Sequence, residues 1–135
     1  ELLASPVPVV LDAFGWLAGG VTQPGFKTIR ALMKAGVGYA KLAQPYKLSK
    51  RAPDYEDVKE VARALVEANP DRVIWGSGWP HVPSNADPAK RLKPIPPLPV
   101  DTPHMLDLLQ AWAPDASLQR RILVDNPARL FGFCA

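Results

Sequence analysis

Cysteine is nearly absent from this chain: Cys134 is its one thiol among 135 residues. No internal disulfide can form, and the low count favours a reducing compartment. No apolar run approaches the ~20 residues of a membrane-spanning helix, and the first residues lack the basic region of a secretory signal. We therefore expect a cytoplasmic protein. Cys134 has no histidine nearby in sequence and is not a predicted nucleophile.

Charge of one sign is also scarce. The net charge is +3, from 16 Lys and Arg against 13 Asp and Glu, which is too small and too evenly spread to indicate nucleic acid. A loose basic cluster of Lys47, Lys50 and Arg51 is either a polyanion patch or, as we favour, a solvated loop. The sequence has no Cys/His metal-ligand spacing and no glycine-rich phosphate loop, so we expect no metal and no other cofactor.

What the chain does contain is an alternation of strand-like and helix-like apolar patterns. Short apolar runs predict three buried strands, at 6–11, 37–43 and 73–77. Apolar stripes predict two intervening helices, at 23–35 and 54–69. This order is typical of a parallel sheet in an α/β fold, whose crossovers bring all strand carboxyl ends to one edge. Ligands bind at that edge in such folds, so we expect the site there.

Capping and breaking residues predict where the helices begin and end. The predicted N-caps are Asp54, Thr102, and either Asp115 or Ser117. Gly36 is the predicted stop of the first helix, and Asn126-Pro127 is expected to break the last one. A proline-rich loop is predicted at 82–103, and it is either a lid over the site or a surface excursion. The whole of 1–135 is expected to form one domain.

Four segments, in the expected order, resemble the amidohydrolase-related family, in its branch of 2-pyrone-4,6-dicarboxylate lactonases. Residues 9–15 (V-V-L-D-A-F-G) are similar to the family's V-V-(I/L)-D-H-(F/M)-G. Residues 41–49 (K-L-A-Q-P-Y-K-L-S) are similar to K-(L/I)-S-x-P-Y-R-(V/L)-S. Residues 74–81 (I-W-G-S-G-W-P-H) are similar to (I/L)-W-G-(T/S)-D-W-P-H, and residues 126–133 resemble the closing N-P-A-(R/K)-L-(F/Y)-G-F.

The resemblance implies a distorted (β/α)8 TIM barrel, of which this sequence supplies the C-terminal half. A full barrel needs roughly 250 residues, and the family's opening His-x-His strand has no counterpart in this sequence. Three or four strands cannot close a barrel, and open sheet edges invite pairing. We therefore expect a homo-oligomer, or association with a missing N-terminal half.

At two positions that the resemblance makes functional, this chain has no functional side chain. The family's Asp, a general base or a metal ligand, corresponds to Gly78, and the His of the first motif corresponds to Ala13. The family's Arg, which grips a substrate carboxylate, corresponds to Lys47, which keeps the charge but loses the bidentate fork. Loss of a general base typically costs ~10²–10⁴-fold in rate, so hydrolysis is not expected to carry over unchanged.

The remaining candidates follow the predicted strands. His81 is a predicted base or donor to an anionic ligand, unless it only orients its bend. Tyr46 is predicted to hydrogen-bond a ligand carbonyl, unless it only packs in its loop. The predicted substrate contacts are Lys47, Ser49, Trp79 and Asp12.

Structural roles compete with these assignments. In a strand the Asp12 side chain points to the opposite face from that of residue 13. Asp12 is therefore expected to be structural and to brace the barrel, with Lys41 as its partner. Trp79 is expected to form a wall of the site, Lys47 is alternatively a solvated loop charge, and His104 is expected at the surface.

Two hypotheses of different classes follow. The first is a divergent amidohydrolase-family enzyme acting on a small carboxylated ring compound, by lactone-type hydrolysis or by isomerisation, dehydration or cyclisation. In it, His81, Tyr46 and Lys47 provide proton transfer and charge stabilisation without a metal. The second is a catalytically inactive half-barrel that binds a partner chain or a ligand. Turnover of a carboxylated ring compound separates the two.

Overall fold

A three-stranded parallel sheet forms the centre of the molecule. The structure, a computed structural model, describes residues 2–83 and 94–133. The strands are Val9–Leu11 (β1), Gly38–Leu42 (β2) and Val73–Trp75 (β3). They lie side by side in chain order, so that Leu11, Ala40 and Val73 form one row across the sheet. The predicted α/β class is confirmed, and all three carboxyl ends lie at one edge.

Helices connect and cover the strands. The described residues form the helices Pro24–Lys34 (α1), Lys59–Ala68 (α2), Thr102–Trp112 (α3), Ala116–Arg120 (α4) and Asn126–Phe131 (α5). Helices α1 and α2 are the crossovers, and the buried side chains of each recur at helical spacing, as predicted. In α1 these are Phe26, Ile29, Leu32 and Met33. Gly36 follows α1 with φ +74°, which confirms the predicted stop.

The core lies between the sheet and its helices. Leu42 and Val73 on the sheet and Leu65 on α2 are each fully buried within one apolar cluster. Burying such a side chain contributes about 1.5–3 kcal/mol. Phe14, just after β1, meets Trp112 of α3 edge to face at 5.3 Å. This contact holds the C-terminal helices against the edge where the strands end.

Two predicted N-caps are wrong. Helix α2 begins only at Lys59, after a 3₁₀ turn at Glu56–Val58, and the Asp54 carboxylate instead contacts the His104 ring at 2.9 Å. The N-cap of α3 is Asp101, whose Oδ1 accepts from the His104 backbone N–H at 3.0 Å. Thr102 is already helical, so its hydroxyl is free for another partner. Both errors arise because several polar residues precede each stripe, and only tertiary contacts select among them.

The prediction of a break at Asn126-Pro127 is also wrong. The helix α4 that precedes it is capped by Asp115, whose Oδ1 accepts from the Ser117 N–H at 2.7 Å. This confirms one of the two predicted caps. The chain then continues through a π-helical turn, Arg121–Asp125, directly into α5. Pro127 lies in the first turn of α5, directly after the π-helical turn.

Strand and loop boundaries differ in detail from prediction. β1 starts at Val9, because Pro6 and Pro8 have no N–H to donate to a ladder, and β3 ends at Trp75. Part of the predicted 82–103 loop lies outside the described residues; residues 94–100 carry no helix or strand, and α3 begins at Thr102. Among the helices of the described ranges, none is long and apolar enough to cross a membrane.

Candidate active site at the strand ends

The carboxyl ends of the strands bring together residues that are far apart in sequence. Asp12 follows β1, a turn at Pro45–Lys47 follows β2, and the glycine-rich bend leading to His81 follows β3. We call this edge of the sheet the rim. The grouping predicted from parallel topology is therefore present.

His81 is the most enclosed polar side chain of the rim. It is 5% exposed, and its backbone adopts φ +54°, a left-handed conformation that few non-glycine residues take. Its N–H donates to the Gly78 carbonyl at 3.0 Å, and its carbonyl accepts from the Leu98 N–H at 2.8 Å. The bend is thus fixed on both sides, and the imidazole is held in one place.

Both ring nitrogens of His81 have partners. Nδ1 lies 3.2 Å from the Tyr46 hydroxyl, and Nε2 lies 2.9 Å from the Thr102 hydroxyl. In one tautomer Tyr46 donates to Nδ1 and Nε2–H donates to Thr102, and in the other both directions reverse. The three groups form a chain along which a proton position can switch without breaking contact.

Burial raises the pKa of the Tyr46 phenol above its usual value of 10.0, and the charges of Tyr55 and Asp12 act in the same direction. Each of these effects disfavours the phenolate. The hydroxyl therefore stays protonated at neutral pH and is available as a donor, either to His81 or to a ligand.

Asp12 and Lys41 form the expected ion pair, with Nζ and Oδ1 3.3 Å apart. The Asp12 side chain is half exposed, so the pair is a modest contributor to stability. It joins the end of β1 to β2 and supplies one charge of each sign to the rim. The neighbouring Ala13 is buried.

The four predicted substrate contacts do not all lie together. The Lys47 ammonium lies 5.7 Å from the centre of the Trp16 ring, a cation–π arrangement at the surface. The Ser49 hydroxyl donates to Asp57 at 2.6 Å and accepts from the Arg51 N–H, in front of α2. Its contact with a substrate stays a prediction, as does that of Lys47.

Trp79 is a highly exposed residue of the bend. Its side chain is 78% exposed, and its backbone N–H donates to the Ser77 hydroxyl at 3.2 Å. An indole in this position offers a flat apolar face to anything that covers the rim. Its predicted role as a wall of the site stays a prediction.

Sequence reasoning missed the contact of Thr102 with His81 and the roles of two further residues. The Gln44 amide donates to the Gly78 carbonyl at 3.2 Å and so links the ends of β2 and β3. Asn126 is fully buried, and its Nδ2 donates to the carbonyls of Pro70 and Val73. The glycine at 78 signals that some other side chain fills the vacated volume, but the sequence does not say which one.

A groove of about 790 Å³ lies on the outer side between α1 and α2, lined by charged side chains such as Arg30, Glu60 and Arg63. It includes none of the predicted site residues, all of which lie elsewhere on the molecule. Within 2–83 and 94–133, no three His, Cys, Asp or Glu side chains cluster to hold a metal ion.

Parallel β–α units with polar residues at the strand carboxyl ends define a protein of the α/β class, which includes the α/β barrels. Solved structures agree: a protein from Agrobacterium tumefaciens matches with a TM-score of 0.77 at 28% identity, over 98% of this chain and 44% of that one. A Pseudomonas putida protein matches with a TM-score of 0.71 at 26% identity, over 96% and 45%. These neighbours are amidohydrolase TIM barrels, which confirms the barrel part of the fold prediction.

The sequence profile described as amidohydrolase matches residues 3–133. The chain belongs to the amidohydrolase family, as the four motifs indicated. It is 43% identical to a 4-sulfomuconolactone hydrolase of Hydrogenophaga intermedia, over 93% of this chain and 39% of the relative. It is 34% identical to a 2-pyrone-4,6-dicarboxylate hydrolase of Comamonas testosteroni, over 95% and 42%. The chain thus spans about two fifths of the length of these relatives.

Proposed function

We propose that this chain supplies part of an active site that acts on a small carboxylated ring compound, by lactone hydrolysis or by ring isomerisation. The observation that carries the proposal is the 3.2 Å contact between Tyr46 and His81, which come from the ends of neighbouring strands. A hydroxyl next to an imidazole is an arrangement suited to general acid–base catalysis.

The names of the relatives favour this substrate class. Two are hydrolases of cyclic esters, at 43% and 34% identity. A third, at 28% identity, is a D-galactarolactone isomerase of Agrobacterium fabrum, so one family contains both reaction types. Hydrolysis adds water to the product and isomerisation does not, and therefore the product mass distinguishes the two outcomes for this protein.

Each rim residue has a distinct part in the proposed reaction. The protonated Tyr46 hydroxyl donates to the ring carbonyl oxygen as negative charge develops there. In hydrolysis, water adds to the ring carbonyl carbon, the ring C–O bond breaks, and the proton released by the water ends on the leaving ring oxygen. His81 and Tyr46 relay that proton through Nδ1, while the Thr102 hydroxyl holds Nε2 in place. The Lys47 ammonium pairs with a substrate carboxylate, as a point charge rather than a fork. Dehydration or cyclisation would use the same proton transfers.

The test uses both histidines of the chain. The protein, expressed from its complete coding sequence, is mixed with 2-pyrone-4,6-dicarboxylate or 4-sulfomuconolactone, and ring absorbance and product mass are followed. His81→Asn is expected to lower kcat/KM by ~10²–10⁴-fold. His104→Asn is the matched control, because that ring contacts Asp54 at the surface, and it should leave kcat/KM unchanged.

A second variant keeps the test valid if His81→Asn folds poorly. Tyr46→Phe removes one oxygen from a partly exposed ring and should lower kcat/KM while the melting temperature changes little. Unchanged kcat/KM in both Tyr46→Phe and a folded His81→Asn protein would refute the catalytic assignment.

A second candidate function is a non-catalytic half-barrel that binds a partner chain or ligand. It is favoured by Gly78 and Ala13, which place no polar side chain where the resemblance has a base and a histidine. Its expected result is tight association with a second chain, or ligand binding, without any turnover of the two ring compounds.

A further inference from the structure

Position 78 has no room for a side chain. A Cβ built on Gly78 would overlap Gln44 Cγ and would lie 2.8 Å from Nε2 and 2.9 Å from Cδ of the same residue. The backbone there has φ +74°, which also favours glycine. The side chain of Gln44 thus already occupies the space that a residue at 78 would need.

Gln44 is itself in an unusual conformation. Its φ of 57° and ψ of 51° are left-handed, a region in which non-glycine residues are uncommon and which is often found at functional sites. Its carbonyl accepts from the Lys47 N–H at 2.9 Å and so starts the turn that carries Tyr46. The conformation that aims the Gln44 side chain at Gly78 therefore also positions the proposed donor.

The Gln44 amide belongs to the same hydrogen-bonded unit as His81. The Gly78 carbonyl accepts both from Gln44 Nε2, at 3.2 Å, and from the His81 N–H, at 3.0 Å. Gln44 is partly exposed, and beyond this bond its amide has a second N–H and an oxygen with two lone pairs. A neutral donor and acceptor thus lies at the rim without adding negative charge.

We propose that Gln44 is a ligand-contacting, specificity-determining residue, and that it and position 78 form a coupled pair in which only one can carry a side chain. The rim then presents the neutral amide of Gln44, which follows β2, and has no side chain at position 78, which follows β3. An amide can bind a carboxylate or an ester carbonyl without charge repulsion, which suits a carboxylated ring compound. The ligand-contacting part rests on the proposed function.

The experiment measures affinity and stability separately, on the protein expressed from its complete coding sequence. Affinity for 2-pyrone-4,6-dicarboxylate is measured by calorimetry. Gln44→Gly fits the left-handed backbone and should retain the fold, while its affinity falls roughly 10-fold or more, as for a lost hydrogen bond to a charged group. Gln44→Glu should lose more affinity, because its carboxylate repels the ligand, and added salt should recover part of that loss.

Gln119→Glu is the matched control, since the Gln119 amide also donates to a backbone carbonyl, that of Ala113, at 2.9 Å but on α4. It adds the same charge away from the rim and should leave affinity unchanged. A purely structural Gln44 would alter the melting temperature of its variants but not their affinity, and equal affinity in Gln44→Gly, Gln44→Glu and wild type would overturn the contact.

The coupling is tested by introducing Gly78→Ala into wild type and into Gln44→Gly. The melting temperature should fall less in the Gln44→Gly background, where the Cβ has room. An equal fall in both would overturn the coupled pair. If wild type binds 2-pyrone-4,6-dicarboxylate and its Gln44 variants bind it equally well, only this inference is overturned. If wild type binds neither 2-pyrone-4,6-dicarboxylate nor 4-sulfomuconolactone, the proposed function and the ligand contact are overturned together.

Discussion

Asn126 offers a quantitative test of how the C-terminal helices hold the rim. Its side chain is fully buried, and Nδ2 donates to the Pro70 carbonyl at 2.8 Å and to the Val73 carbonyl at 2.7 Å. Val73 begins β3, the strand that leads to the His81 bend. One amide therefore ties α5 to the strand on which the proposed site depends.

The cost of losing this amide follows from those two bonds. A hydrogen bond contributes about 1 kcal/mol net, and an unpaired buried carbonyl costs about 1–3 kcal/mol. Asn126 Oδ1 is buried and has no partner among the described residues. Replacing Asn126 by leucine also removes this unpaired oxygen, which offsets part of the destabilisation. Asn126→Leu is therefore expected to lower the free energy of unfolding by about 2–3 kcal/mol.

Urea denaturation of the protein expressed from its complete coding sequence measures this loss. Asn126→Asp keeps the shape but removes both donors, so it should be at least as destabilising as Asn126→Leu. Arg129→Ala, an exposed change on the same helix, is the control and should stay within about 0.5 kcal/mol of wild type. If Asn126→Asp were as stable as wild type, the two carbonyl bonds would not be the reason for burying this residue.

Further outcomes follow from burial, capping and ionisation. Leu42→Ala should cost about 2–5 kcal/mol in urea, since Leu42 is fully buried; a loss under 1 kcal/mol would contradict the packing described. Asp101→Ala should cost about 1 kcal/mol, and Asp101→Asn much less, by the same assay; equal losses would mean that capping is not the cause. Because the pKa of Tyr46 is raised, its protonated form contributes stability that holds below pH 10 and is lost as pH rises further. In an absorbance titration, the phenolate step that is present in wild type and absent from Tyr46→Phe should have its midpoint above pH 10.0. A midpoint below pH 10.0 would refute the argument that burial raises this pKa. Native mass spectrometry tests the expected association, which a stable folded monomer of this chain would contradict.

Much of the fold could be predicted because the deciding signals are local. The stripe from Phe26 to Met33 and the glycine at 36 determine α1 by spacing and by backbone conformation, which depend on few neighbours. The strand–helix alternation then restricts the topology, since crossovers between parallel strands are right-handed. The wrong N-caps at Asp54 and Thr102 show the limit, because several polar residues could cap each helix and contacts with distant residues chose among them.

The candidate site was predicted less completely. Parallel topology was enough to group Asp12, Tyr46 and His81 at one edge, and charge pairing was enough to join Asp12 to Lys41. The hydrogen bond from Ser49 to Asp57 and the cation–π contact of Lys47 with Trp16 depend on how the loops pack. The residue types alone do not encode that packing.

The sequence by itself determined the family, the α/β class and the edge of the sheet at which the candidate residues meet, because motifs and periodicities are properties of neighbouring residues. The tertiary structure alone decided that Gln44 fills the space at Gly78, that His81 lies between two hydroxyls, and that Asn126 joins α5 to β3. Each of these depends on atoms more than twenty residues apart in the chain. Such contacts arise only when packing has fixed the backbone on both sides, and this is why no local pattern predicted them.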